Sequence, residues 1–269
     1  MPRIRVNGVE IHYEWHGSEG APVVVLSNGV LANTASWFNQ TPVLSKRYRV
    51  LLYDCRGQGR SEHPAGPYSM EMHADDLAAL LDALGVEKAH IGGISYGGEI
   101  SLIFAYKYLE KTLSVIAMSA VSEVQPMLRA QIDLWTAAAQ KRDPALFFRA
   151  TATHNFSEGF IAANQAFLES SIPRFAALDI DAVLALFDAF QRLNVSSELG
   201  RIKAPTLLLY GAQDALKPPA VYGRIIAERI PHAEFLTVPN AGHVVIWEKP
   251  QEVNTALLGF LAKASEQSG

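Results

Sequence analysis

The chain has 269 residues, of which 49% are hydrophobic and 19% charged, which is typical of a globular protein with one α/β domain and an insertion. A net charge of −4 without a run of Lys and Arg argues against nucleic-acid binding. No apolar run is long enough to cross a bilayer, no apolar signal segment follows the first residues, and a single cysteine, Cys55, excludes an intrachain disulfide. We therefore expect a cytoplasmic protein that does not bind membranes.

Short apolar runs predict the strands of a central sheet. Arg3–Val6 and Val9–Glu14 are joined by Asn7-Gly8, a dipeptide typical of a tight antiparallel hairpin. The next runs are unbroken and rich in β-branched residues, which favours strands buried on both faces of a parallel sheet. They are Val23–Leu26, Tyr48–Tyr53, Ala89–Ile94, Leu113–Ala117 and Thr206–Tyr210, and a last strand is expected at Ala233–Thr237.

Helical periodicity lies between these strands. It predicts helices at Met70–Leu84, Ile100–Leu109 and Val221–Ile230, and Gly85 lies where a helix-ending glycine is expected. Strands that alternate with helices predict an α/β fold with a mostly parallel central sheet flanked by helices.

Residues 122–194 interrupt the alternation with helical periodicity alone. The expected helices are Gln131–Ala139, Ala145–Ala150, Phe160–Leu168 and Ile180–Leu193, and Pro144 and Pro173 punctuate them. We interpret residues 122–194 as a helical cap inserted into a core of residues 1–121 and 195–269. The alternative is that these are crossover helices of the sheet.

Gly93-Ile94-Ser95-Tyr96-Gly97 fits G-x-S-x-G, the pattern of a nucleophile elbow. In that turn from strand to helix the serine is held in a strained conformation, and its neighbours must lack side chains. A strand is predicted before the motif and a helix after it, which is the context that supports the pattern. The alternative is a glycine-rich turn with an incidental serine.

A serine hydroxyl needs a base to accept its proton, so an acid and then a histidine are expected downstream. Asp214 follows the strand Thr206–Tyr210, and His243 follows the last strand. All three residues would lie at carboxyl ends of strands, where open α/β sheets place their sites. We predict Ser95 as the nucleophile, His243 as the base and Asp214 as the residue that orients it, with Glu123 as a rival acid.

With these residues in place, the chain resembles the α/β-hydrolase fold family over nearly its whole length. Residues 54–61 resemble the family's D-x-R-G-x-G-x-S loop, and Gly242-His243 with Glu248 and Pro250 resembles its histidine loop. The resemblance is strongest to capped serine carboxylesterases and 3-oxoadipate enol-lactonase-like hydrolases. The segment 28–36 departs from the family's usual His-Gly loop and resembles the Asn-Gly loop of bacterial 3-hydroxyacyl transferases.

A tetrahedral oxyanion needs two preorganised N–H donors. We assign them to the backbone of Tyr96, directly after the nucleophile, and of Val30, directly after Gly29. The residues expected to bind substrate are Asn28, Gly29, Leu31, Trp135, Phe148 and Phe187.

The expected activity is hydrolysis of small carboxylic esters through an acyl-enzyme intermediate. The alternatives left open are an acyltransferase or thioesterase acting on 3-hydroxyacyl thioesters, an enol-lactonase, and a non-catalytic receptor on the same fold. We expect a small-molecule ester as the partner, no metal and no cofactor, and leave a homodimer open.

Overall fold

The computed structural model describes residues 2–268, and eight strands in this range form one sheet. The strands are β1 (Arg3–Val6), β2 (Val9–His16), β3 (Val23–Ser27), β4 (Arg49–Tyr53), β5 (Ala89–Ile94), β6 (Thr112–Met118), β7 (Thr206–Gly211) and β8 (Glu234–Val238). Their order across the sheet is β1-β2-β4-β3-β5-β6-β7-β8. Each predicted strand is present, with ends that shift by no more than a few residues.

Strand β2 runs opposite to the other seven strands of the sheet. Strand β1 pairs antiparallel with β2 through a turn in which Asn7 and Gly8 both have positive φ, as a tight hairpin requires. Strand β2 is also antiparallel to β4, whereas the pairs from β4 to β8 are all parallel. The predicted hairpin and the mostly parallel sheet are both confirmed.

Twelve α-helices lie within residues 2–268, and none of them combines the length and apolar character that a membrane crossing would need. They are α1 (Thr41–Leu44), α2 (Met70–Ala83), α3 (Tyr96–Lys107), α4 (Pro126–Gln140), α5 (Pro144–Asn155), α6 (Glu158–Ala163), α7 (Gln165–Glu169), α8 (Ile172–Ala176), α9 (Ile180–Gln191), α10 (Arg224–Arg229), α11 (Val245–Glu248) and α12 (Pro250–Ser268).

The apolar core has two parts, one on each face of the sheet. Alternate residues of β3 point to opposite faces: Val25 belongs to one cluster, and Val24 belongs to the other. Helices α2 and α3 cover the first cluster with residues such as Leu77, and α12 covers the second with residues such as Leu257. The central strands are therefore buried on both faces, which explains their unbroken apolar sequences.

Residues 122–194 contain α4–α9, and the two ends of this segment lie side by side. An isolated bridge pairs Glu123 with Asn194, and Val195 N–H donates to the carbonyl of Ser122 at 2.8 Å. We refer to α4–α9 as the cap helices.

Three helix predictions need correction. Phe160–Leu168 is not one helix: the chain breaks at Asn164, whose side chain caps the carbonyl of Phe160. Pro173 lies in the first turn of α8, where its missing N–H costs nothing, so it begins a helix that the sequence reading left out. The predicted helix Val221–Ile230 starts as a wider π-type turn and becomes α-helical as α10.

Candidate active site

Strand β5 turns into helix α3 at Ser95, whose φ of +54° and ψ of −122° lie outside the usual regions for a residue with a side chain. The two glycines of the motif explain how the chain makes this turn. A Cβ on Gly93 would lie 2.2 Å from the carbonyl oxygen of Gly97, and a Cβ on Gly97 would lie 2.1 Å from that of Ser27. The turn therefore requires glycine at both positions.

His243 and Asp214 form a buried hydrogen-bonded pair. His243 Nδ1 lies 2.8 Å from Asp214 Oδ2, and both side chains are almost fully enclosed. The other carboxylate oxygen of Asp214 accepts the backbone N–H groups of Leu216 and Lys217, at 3.0 and 2.7 Å. The hydroxyl of Ser119 donates to the carbonyl of His243 at 2.9 Å. The acid and the imidazole are thus each held in one orientation.

Ser95 and His243 line the same cavity, which lies between the sheet edge and the cap helices. Its walls are largely apolar, and its volume of about 130 Å³ suits a small ligand. The predicted residues Gly29, Leu31, Trp135 and Phe148 line it, together with the further aromatic residues Phe156, Phe175 and Trp247. Phe187 lines a smaller neighbouring cavity, also next to Ser95.

The loop after β3 lies against the serine. A Cβ on Gly29 would come within 3.5 Å of Ser95 Cβ, and Val30 lines both cavities that reach Ser95. Leu31 has a φ of +65°, a strained conformation for a residue with a side chain. Tyr96 is the first residue of α3, so its N–H is one of the donors that helical hydrogen bonding leaves free.

Asn28 does not line either cavity and needs correction as a substrate-binding residue. Its side chain is fully buried, donates to the carbonyl of Tyr53 and to Asp54, and accepts the indole N–H of Trp37 at 2.8 Å. The hydrogen bonds of the Asn28 side chain therefore hold the loop in place, with Gly29 and Val30 beside Ser95.

Sequence reasoning missed a buried ion pair beside Ser95. Lys217 Nζ donates to Ser95 Oγ at 3.2 Å and to Glu99 Oε1 at 2.9 Å, and both charged side chains are buried. A signal was available, because Glu99 is a charged residue in a helix whose other buried residues are mostly apolar. Charged side chains are rarely buried unless they are paired, so a partner was to be expected.

The hydroxyl of Ser95 is bonded to Lys217, and within residues 2–268 it makes no hydrogen bond to His243. Serine side chains exchange among staggered rotamers, and proton transfer needs Oγ within hydrogen-bond distance of the imidazole. A hydrogen bond accepted from Lys217 leaves the proton of Ser95 available for donation to a base.

Within residues 2–268, neither Glu123 nor the single cysteine, Cys55, forms a hydrogen bond with Ser95 or His243. Glu123, the rival acid, accepts from Ser196 at 2.8 Å instead of contacting His243. Cys55 is buried, and burial raises the pKa of its thiol to about 12, which makes it a poor nucleophile. Among the described residues, no group of three or more His, Cys, Asp or Glu side chains is arranged to hold a metal ion.

Residues 22–250 match the family described as alpha/beta hydrolase fold. The chain belongs to the alpha/beta hydrolase fold family. The match covers Ser95, Asp214, His243 and all the cap helices, in agreement with the eight-stranded, mostly parallel sheet. The fold and family expected from the sequence are confirmed.

Relatives of this alpha/beta hydrolase carry names of hydrolytic enzymes. A protein of Azorhizobium caulinodans named as a carbamate hydrolase, RutD, is 30% identical over 99% of this chain and 100% of its own length. The 3-oxoadipate enol-lactonase 2 of Acinetobacter baylyi is 30% identical over 93% of this chain and 92% of its own. The solved enol-lactonase of Burkholderia xenovorans superposes with a TM-score of 0.90 at 27% identity, covering 97% of this chain and all of that one. The protein is therefore a hydrolase.

Proposed function

We propose that this hydrolase cleaves small carboxylic esters through an acyl-enzyme intermediate, with Ser95 as the nucleophile, His243 as the base and Asp214 as the residue that orients it. The observation that carries the proposal is that His243, bonded to the buried Asp214, lines the same cavity as the strained Ser95. A nucleophile, a base and an orienting acid at the edge of one cavity are the elements that acyl transfer requires.

Each proposed residue has a separate task in the reaction. Ser95 Oγ attacks the ester carbonyl while its proton passes to His243, and the backbone N–H groups of Tyr96 and Val30 stabilise the oxyanion. His243 then returns the proton to the departing alcohol. In the second half of the reaction water attacks the acyl-enzyme with His243 again as the base, and the carboxylic acid is released. Asp214 fixes the tautomer of His243 and stabilises the imidazolium.

The size and lining of the cavity favour a substrate with a short, apolar acyl or alcohol group. Its lining is dominated by aromatic and aliphatic side chains of the cap helices and of the loop at residues 29–32. Burying a hydrocarbon group against such walls is favourable, whereas a polar chain would find few hydrogen-bond partners there.

Cyclic esters are the second candidate. Two of the related proteins are named enol-lactonases, and one of them superposes over its whole length. A lactone is an internal ester, so the same residues would open it, and the product would stay in one piece.

A panel of esters tests the proposal. The enzyme should release p-nitrophenol from the acetate and butyrate esters, and Ser95→Ala should lower kcat by at least about 10⁴-fold. Ser114→Ala is the control, because Ser114 is also buried but lies inside the sheet and its hydroxyl hydrogen-bonds with His90. It should retain wild-type turnover.

The same assay separates the alternatives. Faster cleavage of a p-nitrophenyl carbamate or of an added lactone than of the acetate would assign a different carbonyl class to this site. Transfer of the acyl group to added alcohol or thiol acceptors in preference to water would identify an acyltransferase. Ester turnover that persists in Ser95→Ala would contradict the proposal.

A further inference from the structure

The alkyl chain of Lys217 passes through the core to place its ammonium group beside the nucleophile. The side chain is only 2% exposed. Its Nζ has three neighbours: Ser95 Oγ at 3.2 Å, Glu99 Oε1 at 2.9 Å and the ring of Phe190, 4.7 Å from the ring centroid. Its surroundings fix the ammonium group with one N–H aimed at the reacting oxygen.

Glu99 is the counter-ion that allows this cation to stay buried. Its carboxylate accepts from Lys217 and from the backbone N–H of Val121 at 2.8 Å, and it lies one turn into α3 from Ser95. Burial raises the pKa of the Glu99 carboxyl to about 7, and the attraction of Lys217 opposes that rise. Each charge therefore depends on the other.

The position of Lys217 is also tied to the acid of the proposed triad. Its backbone N–H donates to Asp214 Oδ1 at 2.7 Å, while Asp214 Oδ2 pairs with His243. The loop after β7 thus provides both the carboxylate that orients His243 and the ammonium group that contacts Ser95.

We infer that Lys217 is a catalytic residue, whose ammonium group, held by Glu99, stabilises negative charge on Ser95 Oγ both when this oxygen attacks and when it leaves. The inference rests on the proposed role of Ser95 as the nucleophile. A charge-assisted hydrogen bond strengthens as its acceptor gains negative charge, so it favours the transition state over the resting serine.

Lys217 keeps all its protons throughout the reaction. In acylation the Oγ–C bond forms while the Oγ proton moves to His243, and the bond to the leaving alcohol breaks as that proton is returned to it. In deacylation water adds to the carbonyl and gives a proton to His243. The C–Oγ bond then breaks, and the proton passes to Oγ, which departs next to the ammonium group.

Glu99 makes this arrangement compatible with a histidine base. An unpaired cation beside the serine would oppose the positive charge that forms on His243. The carboxylate of Glu99 offsets the ammonium charge at a distance, while the hydrogen bond to Oγ remains. The pair thus offers a local donor with little net charge.

The test removes both charges together, because removing one partner leaves the other buried and unpaired. In Lys217→Met with Glu99→Gln, methionine fills the path of the lysine chain, and the amide of glutamine can still accept from Val121. A fluorophosphonate probe should label this variant at Ser95 about 10²-fold more slowly than wild type, an effect comparable to the loss of one oxyanion donor. The burst and steady-state rates with p-nitrophenyl acetate should fall to a similar extent.

Two comparisons exclude a merely structural effect. Lys263→Met removes a paired lysine from the surface pair with Glu234 and should label at the wild-type rate. Lys217→Gln with Glu99→Gln is the second variant should the first not fold, since the two amides can pair with each other. It should also label slowly, with an unchanged circular dichroism spectrum.

The outcomes separate this inference from the proposed function. Wild-type protein that is labelled at Ser95 but cleaves no ester would contradict the proposed substrate and leave the labelling comparison decisive for Lys217. Folded variants labelled within about twofold of wild type would overturn the role of Lys217. A loss confined to esters with poor leaving groups, with deacylation unchanged, would also overturn it, because Lys217 would then act on the leaving group.

Discussion

His73 is a buried imidazole that lies against Tyr96, the residue after Ser95. Its Nε2 is 2.9 Å from the hydroxyl of Tyr96. Burial, with a smaller contribution from the Arg56 charge, lowers the pKa of His73 from 6.5 to about 3. In the unfolded chain the imidazole takes up its proton near the ordinary value, so acid favours unfolding throughout the range between the two pKa values.

Replacing His73 should therefore flatten the acid side of the stability profile. The variant His73→Gln keeps a hydrogen-bonding partner for Tyr96 and does not titrate. From about pH 6 to about pH 4 its unfolding free energy should fall less steeply than that of wild type, by about 1.4 kcal/mol per pH unit. Urea unfolding at several pH values measures this difference, and parallel profiles would show that His73 does not contribute it.

At the residue scale, the sequence predicts groups that belong to a pattern and misses groups that act through burial. Ser95 is recognisable because its glycine neighbours are required by the backbone. Lys217 is not, because an isolated lysine in a loop is usually exposed. Only the path of its chain into the core and its pairing with Glu99 reveal its position. Asn28 shows the opposite error: it was predicted to bind substrate, but its polar side chain is buried and hydrogen-bonds within the protein.

At the element scale, the strand-to-helix turn at Ser95 depends on a close approach between β3 and α3. Gly97 of α3 leaves no room for a methyl group against the backbone of Ser27 and Asn28. Gly97→Ala should therefore lower the unfolding free energy by about 3 kcal/mol and move the serine, because backbone atoms cannot yield as a flexible side chain can.

Gly159→Ala is the matched control for this change. Gly159 lies in the cap helix α6, and a Cβ there meets nothing within 4 Å. The alanine should raise the unfolding free energy by about 0.4–1 kcal/mol through the unfolded chain. Urea denaturation of both variants decides the matter, and equal stabilities would contradict the tight contact at Gly97.

Elements were predictable to the extent that their apolar pattern was clear. Buried strands such as β5 and β7 are unbroken apolar runs, and their observed bounds agree closely with the prediction. The cap is harder to predict, because its short helices are bounded by residues that also occur in loops, such as Asn164 between α6 and α7 and Pro173 in the first turn of α8. Sequence alone therefore predicts a helical region here without its internal divisions.

At the scale of the whole molecule, the site exists because parallel strands bring distant segments to one edge of the sheet. His243 and Asp214 are 29 residues apart, and Lys217 is 122 residues from Ser95, yet both pairs are in hydrogen-bond contact. The loops that carry these residues follow β5, β7 and β8, and the cap helices close the cavity above them. The sequence predicted a mostly parallel sheet but not the order of its strands, because the sequence of one strand does not specify which strands pair with it.

Identifying the acylated residue tests the central claim most directly. Protein mixed with p-nitrophenyl acetate and quenched in acid during the burst should carry one acetyl group, which peptide mass spectrometry assigns to Ser95. Quenched Ser95→Ala protein should carry none. An acetyl group that maps to another residue, or steady ester turnover with no acylated protein at any quench time, would contradict the account.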